Sequence, residues 1–233
     1  MTIAERLADV RERIDAAARA CGRDPARVKL VAVSKTKPLQ AIRDAYACGQ
    51  RAFGENYAQE LAAKALALED LRDLEWHFIG HLQVNKAKVA AKHAHVVHTV
   101  DSAALARELG RRASNGGRVI PLPVLVEVNI GGEPQKAGAT PSEMAEVMLA
   151  IREQPALALR GLMTVPPAGE LVAVRRVFET LVSLRNLHGG EQALPELSIG
   201  MTADLEVAIA CGATIVRIGT AIFGPRQPGA FRR

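Results

Sequence analysis

The chain has 233 residues, 48% of them hydrophobic and 24% charged, enough apolar material to bury a core without metals or disulfides. Aromatic residues make up 3%, and the three cysteines, Cys21, Cys48 and Cys211, are widely spaced, which argues against base-stacking platforms, a disulfide framework and a CxxC metal site. The formal charge of +5 comes from basic residues interleaved with acids, so nucleic acid is not an expected partner.

Thr2 and Glu5 form a capping-box pattern, and Ile3, Leu7, Val10 and Ile14 follow at helical spacing. This leading helix should end at Cys21-Gly22, and the β-branched run 28–33 reads as a buried parallel strand. The first residues mix charges with apolar side chains and show no secretory pattern, and no stretch has the apolar length of a membrane span. A cytoplasmic setting and no membrane partner are therefore expected.

From Pro38 the chain alternates helix and strand: a helix to Gly49, a strand from Ala52 to Asn56, an Ala/Leu-rich helix to about residue 71, and a strand over 76–80. A helix around 84–91, a strand over 95–100 and a helix capped by Asp101 or Ser102 come next. The clearest strand is 124–130. After it, Thr140-Pro141-Ser142-Glu143 combines a capping box with proline at the first helical position, ahead of the stripe Met144, Val147, Met148 and Ile151. Strands at 159–165, 197–199 and 215–222 and helices at 171–187 and 202–211 complete about eight βα units. The alike segments 45–49 and 208–212 read as repeated helix-to-strand turns. The expected fold is α/β, a (β/α)8 TIM-type barrel with an extra N-terminal helix, as one domain over 1–233, its interior layered with small and branched side chains.

In such a barrel, chemistry gathers just past the C-terminal ends of the strands. The first strand delivers Ser34-Lys35-Thr36-Lys37; Lys35 is the candidate Schiff-base amine, and Lys37 a neighbour able to lower its pKa by repulsion. The last two units end in Ser198-Ile199-Gly200-Met201-Thr202 and Arg217-Ile218-Gly219-Thr220. Small residues, hydroxyls and a helix start near Thr202 suit a phosphate there. Arg217 alternates with Val216 and Ile218, so it points to the other face of its strand and needs an acceptor: a cofactor's ring nitrogen or phosphate, or a structural salt bridge. His77 and His81 stand i, i+4 without a third ligand, so no metal is expected, and His93, His95 and His98 read as polar-face residues of a strand. Gly54-Glu55-Asn56-Tyr57 is a polar cluster fit to line the pocket or simply to form a βα loop.

The segments 32–38, 53–57, 77–86 and 217–224 closely resemble the pyridoxal phosphate homeostasis proteins, the YggS/PROSC family, along about 28–224. The resemblance implies a barrel like the N-terminal domain of alanine racemase, with pyridoxal 5′-phosphate on Lys35. Arg217 is then implied beside the pyridine nitrogen, with Ser198, Gly200, Met201, Thr202, Gly219 and Thr220 around the phosphate. Family members usually carry serine where this chain has Thr202, which keeps the hydroxyl and the backbone N–H. Racemases take a second catalytic base, a tyrosine, from a C-terminal β-domain, whereas nine residues follow Gly224 here. An arginine at the ring nitrogen also weakens the electron sink. A cofactor carrier or buffer without strong catalytic activity, passing its cargo to apo-enzymes, is the expected function. A weak racemase or decarboxylase is the first alternative, and a cofactor-free lysine aldolase the second.

Overall fold

The computed structural model describes residues 1–133, 136–167 and 169–225. Helix α1 (Ile3–Ala20) precedes β1 (Lys29–Val33), and the chain then runs α2 (Leu39–Ala47), β2 (Ala52–Glu55), α3 (Ala58–Ala67), β3 (Glu75–Phe78), α4 (Ala87–His93) and β4 (Val96–Val100). It continues through α5 (Ala103–Asn115), β5 (Leu122–Glu127), α6 (Met144–Arg152), β6 (Leu157–Met163), α7 (Leu171–Leu187), α8 (Gly190–Ala193), β7 (Glu196–Ser198), α9 (Leu205–Ala210), β8 (Ile215–Ile218) and α10 (Thr220–Phe223). The eight strands form a closed, all-parallel barrel in sequence order, sealed by β1 pairing with β8. The expected (β/α)8 barrel with a leading helix is the fold.

The capping box forms as read: Glu5 N–H donates to Thr2 Oγ1, and Thr2 N–H to Glu5 Oε2. Leu7, Val10, Ile14 and Ala18 are the buried stripe of α1. Arginines in and just after α1 stitch the chain's start to distant elements, Arg13 pairing with Glu206 and donating to Thr202 O, and Arg23 donating to Ile209 O and Ala213 O. The repeated turns are alike in space too. Gly49 and Gly212 take φ of 82° and 98°, and Gln50 and Ala213 donate back to Ala45 O and Ala208 O, the helix-ending turn that glycine permits without steric penalty.

Several element limits differ from the expectation. Thr140 and Glu143 do exchange reciprocal bonds, but 141–143 form a turn and α6 starts only at Met144. The last strand stops at Ile218, where Gly219 leads into the short α10. No helix among the described residues is long and apolar enough to cross a membrane.

The main core lies between the strands and the helical ring, whereas Val31, Ala52 and Ile215 form a small separate cluster. Part of the lumen departs from the apolar layers expected. His77, His98, Ser198, Glu127 and Arg217 are all buried, so beside its apolar residues the barrel holds a polar network that must satisfy itself.

Candidate functional site

Parallel pairing sets Ser198 of β7 against Ile215 of β8, and Ile218 of β8 against Ala32 of β1. The turns after these three strands therefore share one arc of the barrel mouth. Lys35 stands in the turn after β1, half-buried, and the backbone on either side of it is clamped. Ser34 Oγ donates to Glu55 Oε1 at 2.6 Å, and Thr36 N–H to Glu60 Oε1 at 2.6 Å. Lys64 Nζ, from α3, donates to Ser34 O at 2.7 Å, Glu55 Oε1 at 2.8 Å and Glu60 Oε1 at 2.6 Å. Thr36, at φ 61°, is the one non-glycine residue with positive φ among those described, a conformation that surrounding bonds must enforce. Burial pushes the Glu55 carboxyl up to about 7 against the pull of Lys64.

Lys37 leaves this turn in another direction: its ammonium donates to the carbonyls of Phe223, Gly224 and Pro225 at 3.1, 3.0 and 2.8 Å. The charge expected to act on Lys35 thus also closes the C-terminal end of α10.

Arg217 does point into the lumen and is 4% exposed. Within the protein its acceptors are a hydroxyl and backbone carbonyls, not the carboxylate of the structural salt bridge that was one expectation. Nη1 donates to Ser198 O at 2.5 Å and Ser198 Oγ at 2.7 Å, and Nη2 to Thr164 O at 3.1 Å. No ion pair joins it to a carboxylate among the described residues; Glu127 and Asp204 act on it only through space. Burial lowers its pKa to about 10, so the guanidinium stays charged at neutral pH.

The phosphate-loop candidates occupy the adjoining rim. Gly200 and Met201 follow β7, but the helix expected to open near Thr202 starts at Leu205, because 202–204 form a turn. Met201 N–H already donates to Asp204 Oδ1. Thr202 stays partly exposed, and Thr220 is exposed at the start of α10. Gly219 lies against the end of β1, where a Cβ would stand 3.3 Å from Val33 Cβ and Val33 O. The absence of a side chain on Gly219 thus lets the end of β8 pack closely against the end of β1.

Asn56 lines both a cavity of about 750 Å³, shared with Tyr57, Phe78, Leu82 and Lys86, and one of about 240 Å³, shared with His81, Glu127, Asn129 and Lys136. Asn56 Oδ1 and Glu127 Oε2 are buried with no hydrogen-bond partner among the described residues. Burial pushes the Glu127 carboxyl up to about 7, with Asp101 adding to the rise and Arg217 opposing it. Glu55, grouped with Asn56 by sequence, turns into the Lys64 clamp instead.

Of the histidines expected on or beside a strand, His95 precedes β4 and His98 lies on it, whereas His93 closes α4. His81 is exposed and meets Asp101 at 3.3 Å, while His77 points inward, so the two share no face. His98 is fully buried, with Nε2 2.8 Å from His77 Nδ1 and Nδ1 2.8 Å from Ser198 Oγ. The signal for this pairing was available: His77 between Trp76 and Phe78, and His98 after Val97, show the same alternation that turned Arg217 inward.

A lysine turn and small-residue turns at the mouth of such a barrel place the chain in the alanine racemase class of folds. The family model described as Alanine racemase, N-terminal domain, matches residues 6–227. Alanine racemase of Clostridium difficile superposes with a TM-score of 0.67 at 12% identity, over 96% of this chain and 59% of the racemase chain, a likeness of fold alone. Sequence similarity is much higher elsewhere. The pyridoxal phosphate homeostasis protein of Pseudomonas aeruginosa is 48% identical over 98% of both chains, and that of Escherichia coli K12 is 45% identical over 97% of both. PipY of Synechococcus elongatus, solved with PLP bound, superposes with a TM-score of 0.83 at 39% identity over 96% of this chain and 100% of that chain. The chain belongs to the family of pyridoxal phosphate homeostasis proteins.

Proposed function

We propose that this protein binds pyridoxal 5′-phosphate at the mouth of the barrel as a Schiff base on Lys35, and serves to store it and release it to apo-enzymes that use it. The observation that carries this reading is the convergence of three turns, after β7, β8 and β1, on one arc of the barrel mouth, which sets the Lys35 turn beside the small-residue turns. The donor set fits the group. Lys35 supplies an amine for its aldehyde, the turns carrying Gly200, Met201, Thr202, Gly219 and Thr220 supply small residues and hydroxyls for its phosphate, and Asn56 Oδ1 is a buried polar atom with no partner among the described residues. Ser198 acts behind them, its hydroxyl engaged by Arg217 and His98.

When bound, the cofactor supplies an electrophilic carbon for amines and a ring that withdraws electrons from it. The protein's own groups bear on how strongly that ring withdraws. Arg217 is a donor without acceptor capacity and remains charged at neutral pH. Toward a ring nitrogen it would favour the unprotonated form, which suits retention over carbanion chemistry. The clamp of Glu55, Glu60 and Lys64 holds the Lys35 turn in place. Curated relatives over the full length are named for homeostasis, which supports the same reading.

Borohydride reduction of cofactor-loaded protein followed by peptide mapping should place the adduct on Lys35, and a transfer assay should show cofactor passing to an apo-transaminase. An adduct mainly on Lys37, Lys86 or Lys136 would contradict the attachment. Racemisation or decarboxylation of alanine or serine at about 1 per second or faster would make the protein an enzyme.

A further inference from the structure

We infer that His98 and His77 are positioning residues for the cofactor site: with Ser198 they form a one-way hydrogen-bond relay that anchors the Arg217 guanidinium and ties it to the Lys29–Glu75 ion pair at the opposite end of the barrel. The role assigned to the cofactor rests on the function proposed above; the relay itself rests on the protein alone.

The contacts run without a break along the lumen. Arg217 Nη1 donates to Ser198 Oγ at 2.7 Å; Ser198 Oγ and His98 Nδ1 are 2.8 Å apart; His98 Nε2 and His77 Nδ1 are 2.8 Å apart; His77 Nε2 reaches Glu75 Oε2 at a long 3.5 Å. Glu75 Oε2 also accepts from Lys29 Nζ at 2.8 Å. Glu75 and Lys29 open their strands while Ser198 closes its own, so the relay crosses from the N-terminal to the C-terminal side of the barrel.

Its polarity follows from its ends. An ionised carboxylate only accepts and a guanidinium only donates, whereas a neutral imidazole has one donor and one acceptor. Glu75 is held ionised, its carboxyl lowered to about 2 by the contact with His77 and by Lys29. His77 then carries its proton on Nε2, leaving Nδ1 to accept from His98 Nε2. His98 Nδ1 is left to accept from the Ser198 hydroxyl, whose oxygen accepts from Arg217. Burial holds both imidazoles neutral. The charged groups around them act the same way or are already in the relay. His98 faces His77, Arg217 and Lys29, while His77 faces Lys29, Glu75 and His95. Two consequences follow for the site. The Ser198 proton is committed to His98 and cannot serve an anion, and the upper end of the relay presents the positive charge of Arg217.

Two measurements test this. In the cofactor-free protein, long-range proton–nitrogen NMR should show His77 and His98 as neutral Nε2–H tautomers that do not titrate between about pH 5.5 and 8. An Nδ1–H tautomer at either, or protonation near the ordinary histidine value, overturns the relay. Substitution then separates positioning from packing. In His98→Asn the amide oxygen takes the place of Nδ1 and still accepts from Ser198, whereas in His98→Gln the amide nitrogen takes the place of Nε2 and abandons Ser198. Cofactor affinity should stay within about twofold in His98→Asn and fall about tenfold in His98→Gln, the equivalent of one lost buried hydrogen bond. Simple space-filling predicts the reverse, because asparagine removes more volume, so equal losses or a better-binding His98→Gln overturn the positioning role. Failure of the parent protein to bind the cofactor overturns the functional reading and its coupling to the histidines, while the tautomers still decide the relay.

Discussion

At the residue scale, the most informative side chains are those whose charge is out of keeping with their surroundings. Glu127 has a buried, unpartnered oxygen and a carboxyl raised to about 7 from an ordinary 4.5. A raised carboxyl pKa stabilises the fold fully below its unfolded value, and that contribution disappears as pH rises through the folded value. Glu127→Gln should therefore gain stability relative to the parent as pH is raised from about 4.5 to beyond 7. Urea midpoints of the two cofactor-free proteins, compared at each pH, would show it. The difference isolates Glu127 from the buried histidines, whose lowered pKa values act in the opposite sense below their ordinary range. A constant difference would mean that the carboxyl is not buried as described. At the rim, Gly219→Asp should weaken cofactor retention more than Thr202→Ala. The aspartate fills space beside Val33 and brings negative charge toward a phosphate, while alanine keeps the backbone N–H. Equal affinities on titration of the apo-protein would move the phosphate elsewhere. Lys35 and Arg217 were legible as candidates from strand-end position and alternation. The acceptors of Arg217 were not, because backbone carbonyls of β7 and the turn at Thr164 leave no trace in residue type.

Elements position these residues in ways that local sequence only partly announces. The strand and helix order was readable because parallel strands buried on both faces give continuous apolar runs, and because capping boxes and glycine turns mark the boundaries. The errors concentrate where polar groups end an element. Asp204 takes the Met201 N–H and delays α9, and Gly219 cuts β8 short at Ile218. The clamp that α3 applies to the Lys35 turn was invisible, since Glu60 and Lys64 look like an ordinary solvated i, i+4 pair. In the fold they are buried, with side chains 2% and 7% exposed. Removing the cation from two buried carboxylates is costly, so Lys64→Met should destabilise the protein by about 3 kcal/mol and slow or weaken formation of the Lys35 adduct. Chemical denaturation and the borohydride assay would measure the two effects. Unchanged stability would show that Glu55 escapes the penalty by protonating, as a carboxyl near 7 allows.

For the whole molecule, the leading helix helps to keep the ring shut. Leu7 of α1 is fully buried, and the helix packs against α2, α9 and α10, the elements flanking the junction of the first strand with the last. Leu7→Ala should cost about 3 kcal/mol through lost burial and the cavity left behind, and cofactor retention should fall with it, read by denaturation and by dialysis against buffer. Loss of stability with retention unchanged would separate α1 from the site.

The junction of β1 with β8, Val31 against Arg217 and Ala32 against Ile218, has a consequence in time. The lysine turn is made early during synthesis and the turns opposite it nearly two hundred residues later, so no partly made chain contains the pocket. Pairing over such a sequence separation is expected late in folding, after the loop entropy between the strands has been overcome. A ligand bridging the two strands acts as a clasp on the finished ring and slows its opening. With the cofactor held on Lys35 as proposed, capture of its reactive aldehyde would be restricted to molecules that have already closed.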